Sequence, residues 1–405
     1  MCPWMFDGKA VATEKLLHIW TVFGILNRLI AKDCALKNPN PKLNVAVLFG
    51  GRSAEHEVSI TSALSIIQNI DKGKYNVIPV KISREGRWKV LPDLKALDSV
   101  KALGTAEGTL VLVGDPETRG LVCLPAPDVP GWQDRPVDVV FPVLHGSYGE
   151  DGTVQGLFQL ADIPCVGGGI LASALGMDKI LMKQVFRQQG LQTADSVWFL
   201  RKAWEASPES VLKQVRDTIG FPCFVKPANM GSSVGIYKIR DDQEFRQALP
   251  KAAKFDRKLL VEASIDGREL ECAVLGNDEP QASVVGEIVP CNEFYDYEAK
   301  YLLNGSKTLI PADVSKTVSE EIRHQAVLAF KAIDCAGMAR VDFFLEHGTN
   351  RVLINEINTI PGFTPISMYP KLWEASGIPY PELLDRLIQL ALDRHADLKR
   401  SKFQR

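Results

Sequence analysis

The sequence predicts an α/β protein of two or three domains, on three observations. The chain has 405 residues, more than one ordinary hydrophobic core organises. Residues 43–67 read as a buried strand, a glycine turn and a helix, the opening unit of an open α/β sheet. Residues 337–368, GMARVDFFLEHGTNRVLINEINTIPGFTPISM, read as two strands with period-two alternation joined by a turn, and they carry carboxylates among the apolar positions.

Composition narrows the class. Hydrophobic and charged fractions of 46% and 24% are those of an ordinary soluble globular protein. A formal charge of −2 gives no electrostatic case for nucleic acid or an anionic membrane as partner, so an anionic ligand has to be met by local Lys and Arg. Eight cysteines are scattered without a C-x-x-C pair, several in apolar contexts such as FPCFV and LECAV. That is the usage of small core residues in a reducing compartment, and the cytoplasm is expected.

Residues 1–43 are expected to lie outside the fold, as an appended helix or a start codon assigned too early. Their apolar run at 16–30, LLHIWTVFGILNRLI, is shorter than a membrane span and carries His18, Asn27 and Arg28; a peripheral membrane or partner helix is the lesser alternative. From residue 43 on, NVAVLFG is a continuous apolar strand, GGRS a turn, and residues 54–67 a helix. Glu55 stands at that helix start. Stabilisation by the helix dipole is a sufficient structural reason for an acid there, and the functional alternative is that it faces a cleft and holds a substrate ammonium.

YNVIPVKIS supplies the next strand, and the Pro-, Gly- and Asp-rich stretch 91–136 reads as surface decoration. VDVVFPVLHG is a buried strand ending in the glycine-rich loop 145–152, where open α/β sheets place ligands. His145 in that loop reads as a hydrogen-bonded loop residue before it reads as a catalyst. Gly167-Gly168-Gly169 marks a domain boundary, followed by the helix-like LASALGMDKILMKQVFRQQG with Lys179. GFPCFVKPANMGSSVGIYKI reads as strand, glycine-rich loop, strand, with Lys226 at the end of the first. Such a loop lets backbone N–H groups approach a phosphate beside a lysine, and equally forms a flexible hairpin tip; it is not a Walker P-loop.

In LLVEASIDGRELECAVLG, Glu262 closes an apolar strand, Gly267 turns the chain and Glu269 begins the return strand. Glu262 could accept ribose hydroxyls there or be a solvated acid. CNEFYDYEAKYLLNGSK breaks the strand rhythm and reads as a long loop or lid around Lys300 and Tyr301. SEEIRHQAVLAFKAI is an amphipathic helix leading into the acid-bearing hairpin, and YPELLDRLIQLALDRH closes the chain.

In the hairpin, Asp342, Glu356 and Asn358 offer only oxygen, which suits Mg²⁺ or Mn²⁺ rather than Zn²⁺. A magnesium ion held by few carboxylates keeps positions for phosphate, which points to a nucleotide. Asp342 and Glu356 share a face only if the connection has an odd number of residues or one strand carries a bulge. Arg340 has the parity of Asp342 and would present a cation to the same site.

Five segments together resemble one family: GGRSAEHEVS, HGSYGEDGTVQG, VKPANMGSSVG, FYDYEAKY, and ARVDFF with NEINTIPGFTPISMYP. In that order they are similar to the bacterial D-alanine:D-alanine ligases of the ATP-grasp superfamily, from about residue 43 to about 396. The resemblance implies a three-domain ATP-grasp fold with an N-terminal doubly wound parallel-sheet domain: 44–168 for substrate, 169–262 central, 263–396 with metal site and lid. It implies ATP held by Lys179, Lys226, Ser232, Ser233, Glu262, Glu269 and Lys300, and two Mg²⁺ or Mn²⁺ ions on Asp342, Glu356 and Asn358, with Glu356 bridging them. It further implies that Glu55 takes the first D-alanine's ammonium, that Ser232, Tyr301 and Ser367 form a lid-closing relay, and that Arg340 and the Gly362 N–H bind the oxyanion. Two D-alanines and a homodimer are the partners implied. The competing readings are a D-alanine:D-lactate ligase, disfavoured by the intact YDYEAKY segment, and a nucleotide-binding module without catalysis, disfavoured by the intact Lys226, Arg340, Asp342, Glu356 and Asn358.

Overall fold

The computed structural model describes residues 42–90, 109–117, 120–124, 136–289 and 307–402. Residues 1–41, expected to be an appended segment, most of 91–135, and the aromatic-rich segment with Lys300 and Tyr301 lie outside the described residues. Residues 44–405 cluster as one compact unit, whose described part is built on three larger sheets.

The first six strands are β1 (Leu43–Gly50), β2 (Tyr75–Ile82), β3 (Trp88–Val90), β4 (Thr109–Leu112), β5 (Leu121–Leu124) and β6 (Val139–Val143). Four of them form a sheet in the order β3-β2-β1-β6, while β4 and β5 pair as a separate antiparallel ribbon. β1 runs parallel to β6, with Val45 opposite Val139 and Phe49 opposite Val143. Its residues from Val45 to Phe49 are all buried, which is why it reads as an unbroken apolar run rather than an alternating one. The helix Thr153–Leu160 places Val154 and Phe158, four residues apart, on Ala46, Leu48 and Val140; burying such side chains contributes about 1.5–3 kcal/mol each.

At the end of β1 the chain must turn at once into a helix. Gly50 has φ +92°, and a Cβ there would sit 2.3 Å from the Ile82 carbonyl oxygen, so only glycine fits. The helix His56–Asn69 follows with Glu55 as its N-cap residue.

β7 (Ser196–Leu200), β8 (Cys223–Pro227), β9 (Tyr237–Ile239) and β10 (Lys258–Ala263) form a second sheet in the order β7-β10-β8-β9, antiparallel throughout. β11 (Gly267–Gly276), β12 (Gln281–Val289), β13 (Lys307–Leu309), β14 (Gly337–Glu346) and β15 (Val352–Asn358) form the third, in the order β13-β12-β11-β14-β15. The helix Lys316–Ala332 covers it, burying Ile322, Ala326, Ala329 and Phe330 at the spacing of one helical face.

Two sequence expectations are corrected here. The strands ending at Glu262 and beginning near Glu269 are not partners: β10 has both edges taken by β7 and β8, so β11 leaves for the next sheet and pairs with β12 and β14. The helix expected after the Gly167-Gly168-Gly169 triplet is two helices, Ile170–Met177 and Lys179–Gln188. Asp178 breaks it: with extended backbone angles, its carboxylate accepts from the Ile180 and Leu181 N–H groups at 3.1 and 3.2 Å and caps the second helix. The break puts Lys179 in a first turn that faces the site. Among the described residues no helix is long and apolar enough to cross a membrane.

Candidate active site

A cavity of about 870 Å³ opens between the second and third sheets and reaches the loops of the first. That volume suits a nucleotide with a small substrate beside it. Its floor is the β14–β15 hairpin, where Asp342 stands opposite Glu356 but Phe343 stands opposite Ile354. Asn355 is therefore the extra residue of a β-bulge, and of the two conditions stated for the acids to share a face the bulge is the one realised. Without it Asn355 would oppose Asp342.

Arg340 grips Asp342 with both arms, Nε to Oδ1 and Nη2 to Oδ2 at 2.7 Å each, and its Nε is 3.1 Å from Glu271 Oε2. Burial disfavours the guanidinium charge, but Asp342 and Glu271 outweigh it and hold the Arg340 pKa well above the ordinary value. Asn358 Nδ2 donates to Asp342 Oδ2 at 3.1 Å. Among the described residues no three His, Cys, Asp or Glu side chains are grouped to hold an ion alone; the Asn358 amide beside Asp342 carries a further oxygen. The donors are all oxygen, with two acids in register, which fits a hard divalent cation.

The opposite wall carries lysines. Lys179 Nζ donates to the Met230 carbonyl at 2.9 Å and lies 3.3 Å from Glu356 Oε2. Lys226 Nζ is 2.5 Å from Glu262 Oε2, and Lys183 Nζ is 2.5 Å from Glu262 Oε1. Burial alone would push the Glu262 carboxyl up; the two ammoniums override it and hold it at about 2. Burial likewise pushes Lys183 below its usual range, whereas Lys226 ends above it because Glu262, Glu356 and Glu269 face it. Lys183 was not singled out from the sequence, although it lies four residues after Lys179 and so on the same helix face. Glu269 lines the cavity from β11.

The Glu262 pKa of about 2 lies below the ordinary 4.5 of a free Glu, so its stabilisation is complete above the higher value and disappears as pH falls through the lower. Thermal melts across that acid window are expected to show a shallower pH dependence in Glu262→Gln than in the parent; equal slopes would remove the pair of lysine contacts as its cause.

The loop between β8 and β9 has Ser232 at φ +48°, Ser233 at φ +59° and Gly235 at φ +73°, and both serines line the cavity. Ser232 Oγ donates to Glu55 Oε1. A Cβ on Gly231 or Gly146 would lie 2.9 or 3.0 Å from Glu55 Oε2, so two glycines from different loops close over this carboxylate. Glu55 caps its helix by position but makes no side-chain cap bond; its oxygens face the cleft. His145 is the hydrogen-bonded loop residue expected, with Nδ1 3.1 Å from the Ile360 carbonyl and 3.4 Å from Glu150 Oε1, and it also borders the cavity. Burial opposes its protonation, yet Glu150, Glu55 and the Ile360 carbonyl lift its pKa above the usual value.

Gly362 and Ser367 line the cavity beyond the hairpin. Ser367 Oγ accepts from the Thr364 N–H at 3.0 Å and lies 2.8 Å from Thr364 Oγ1. Of the two serines that the resemblance implies in a relay, Ser232 contacts Glu55 and Ser367 contacts Thr364, while Tyr301, implied between them, falls outside the described residues, as does Lys300.

Two antiparallel sheets closing on a lysine-lined cavity, with an acid-bearing hairpin as its floor, are the arrangement expected of an ATP-grasp enzyme. The family descriptions "D-ala D-ala ligase N-terminus" and "D-ala D-ala ligase C-terminus" match residues 44–168 and 185–389. A D-alanine–D-alanine ligase of Ruminiclostridium cellulolyticum is 51% identical over 376 residues, covering 89% of this chain and 98% of its own length. The solved D-alanine-D-alanine ligase of Coxiella burnetii superposes with TM-score 0.78 at 39% identity, covering 89% and 96% of the two chains. The VanG D-Ala:D-Ser ligase of Enterococcus faecalis does so with TM-score 0.78 at 36% identity, covering 87% and 100%. The chain belongs to the D-alanine–D-alanine ligase family.

Proposed function

We propose that this protein joins two D-alanines into D-alanyl-D-alanine for peptidoglycan synthesis, converting ATP to ADP and phosphate through a D-alanyl phosphate. The observation that carries this reading is the joint placement, on one cavity, of the acid pair Asp342 and Glu356, the lysines 179 and 226, and a cleft-facing Glu55. A carboxylate is a poor electrophile, so it must first be phosphorylated, and that transfer needs the γ-phosphate charge neutralised.

Lys179, Lys226, Lys300 and the N–H groups around Ser232 and Ser233 hold the phosphates, and Glu262 and Glu269 take the ribose side. Asp342, Glu356 and Asn358 would hold the two Mg²⁺ or Mn²⁺ ions, which would supply charge neutralisation to the transferring phosphoryl group. Glu55 receives the ammonium of the first D-alanine. The neutral amine of the second attacks the acyl carbonyl, Arg340 with the Gly362 N–H stabilises the oxyanion so formed, and as that oxyanion collapses phosphate departs, taking up the proton the nitrogen sheds. Acyl phosphates hydrolyse, so the segment with Tyr301 closes over the site, with Ser232 and Ser367 completing its hydrogen bonds. Residues 44–168, 169–262 and 263–396 are the three domains that move against one another in that closure. The described cysteines 165, 223, 272 and 335 are all free, which supports a reducing, cytoplasmic setting, and a homodimer is the assembly proposed.

Phosphate release is expected to require D-alanine, ATP and a divalent cation together. Release without D-alanine would remove the ligase reading, and faster turnover with D-lactate or D-serine as second substrate would move the protein to a neighbouring specificity.

A further inference from the structure

Glu262 is a buried carboxylate between two ammoniums at equal distance, yet the two lysines are not equivalent. Lys183 is 2% exposed, does not border the cavity, and is anchored a second time by donating to the Asn355 carbonyl at 2.9 Å. Lys226 borders the cavity beside the glycine-rich loop, and its side chain is the more accessible of the two. One ammonium is fixed in the core; the other stands where a polyphosphate would lie.

A buried carboxylate left without a counter-ion is costly. If Glu262 depended on Lys226 alone, turning Lys226 towards a phosphate would strand that charge. We propose that Lys183 is a positioning residue for phosphate binding: by keeping Glu262 compensated from behind, it lets Lys226 be shared with the nucleotide's phosphates instead of being locked to the acid. Its bond to Asn355, the bulge residue beside Glu356, ties the same ammonium to the strand that sets the acid pair. The inference deepens the ATP-binding reading above and rests on it.

The test uses the full-length enzyme and two probes, ADP and adenosine, in calorimetric titrations. Lys183→Met is expected to weaken ADP binding by about tenfold, the worth of a charge-assisted hydrogen bond withheld, and to leave adenosine binding unchanged. KM for ATP is expected to rise by the same factor while KM for D-alanine stays put. Lys183→Arg, which keeps a cation, is expected to restore most of the loss. In a double-mutant cycle, Lys183→Met combined with Glu262→Gln should bind ADP no worse than Glu262→Gln alone, because a neutral amide needs no counter-ion.

Equal losses for ADP and adenosine, or losses that add in the double variant, would overturn the role and leave Lys183 a packing residue. Should Lys183→Met fail to fold by circular dichroism, the decision passes to the Lys183→Met, Glu262→Gln double variant, where no buried charge is stranded: ADP-to-adenosine selectivity equal to that of Glu262→Gln alone is expected, and a lower selectivity, or a fold that is still lost, would overturn the role. Failure of the parent protein to bind ADP at all would instead defeat the ATP-binding reading itself.

Discussion

Asp342→Asn is expected to lower turnover by about 10³-fold, comparable to the loss of a group that stabilises transition-state charge, with the fold retained. The substitution keeps the shape of the side chain and one acceptor oxygen but removes the charge that receives both arms of Arg340. Arg340 does not lose all compensation, because Glu271 remains beside it; the stability cost is therefore that of a weakened buried charge pair, about 1–3 kcal/mol. The activity cost is larger because one substitution acts on two proposed functions. The hairpin loses an acid donor for the divalent ion, and Arg340 loses the partner that aims it into the cavity. Phosphate release measured at saturating divalent cation, alongside a melting curve, separates these effects. Parental turnover in a folded variant would remove Asp342 from the site, and an unfolded variant would reassign it to structure.

Glu55→Gln is expected to raise KM for D-alanine by about 10²-fold, the equivalent of about 3 kcal/mol for a buried charge-assisted contact, without changing the affinity for ADP. Glu55 is buried, its Oε1 is held by Ser232, and its side chain makes no bond to its own helix, which supports the proposed role of its charge towards a ligand entering the cleft. The amide can still accept from Ser232, which leaves the loop in place and isolates the charge. A steady-state D-alanine titration with a parallel ADP titration gives both numbers. An unchanged KM would return Glu55 to a helix-terminus role, and a matching loss of ADP affinity would mean that its contact with Ser232 supports the phosphate loop rather than the amino acid.

Much of this molecule is legible in one dimension because its strongest constraints are local. The unbroken apolar run of β1 requires burial on both faces, the glycines at 50 and 51 require a tight turn, and the alternation in β14 and β15 places Arg340 and Asp342 on one side by parity alone. The chemical types followed as well: oxygen donors in apolar strands ask for a cation wherever the strands lie. Parity could only pose the alternative between an odd connection and a bulge, since a bulge is a response to packing on both sides of the strand and has no strict residue code.

Other features depended on partners far away along the chain. That β10 and β11 enter different sheets was hidden because sequence neighbours usually pair, and only the occupation of both edges of β10 prevents it. The break at Asp178 was hidden by the apolar periodicity around it. Lys183 looked like any lysine on an amphipathic helix until Glu262, 79 positions further on, was found against it. The sequence by itself determined which elements form and what chemistry their side chains can offer, because propensity, periodicity and donor type act over a few residues. Only the tertiary structure decided which charges share a counter-ion and which face of each acid meets the cavity, because pairing a buried charge is a property of the space between elements rather than of either element alone.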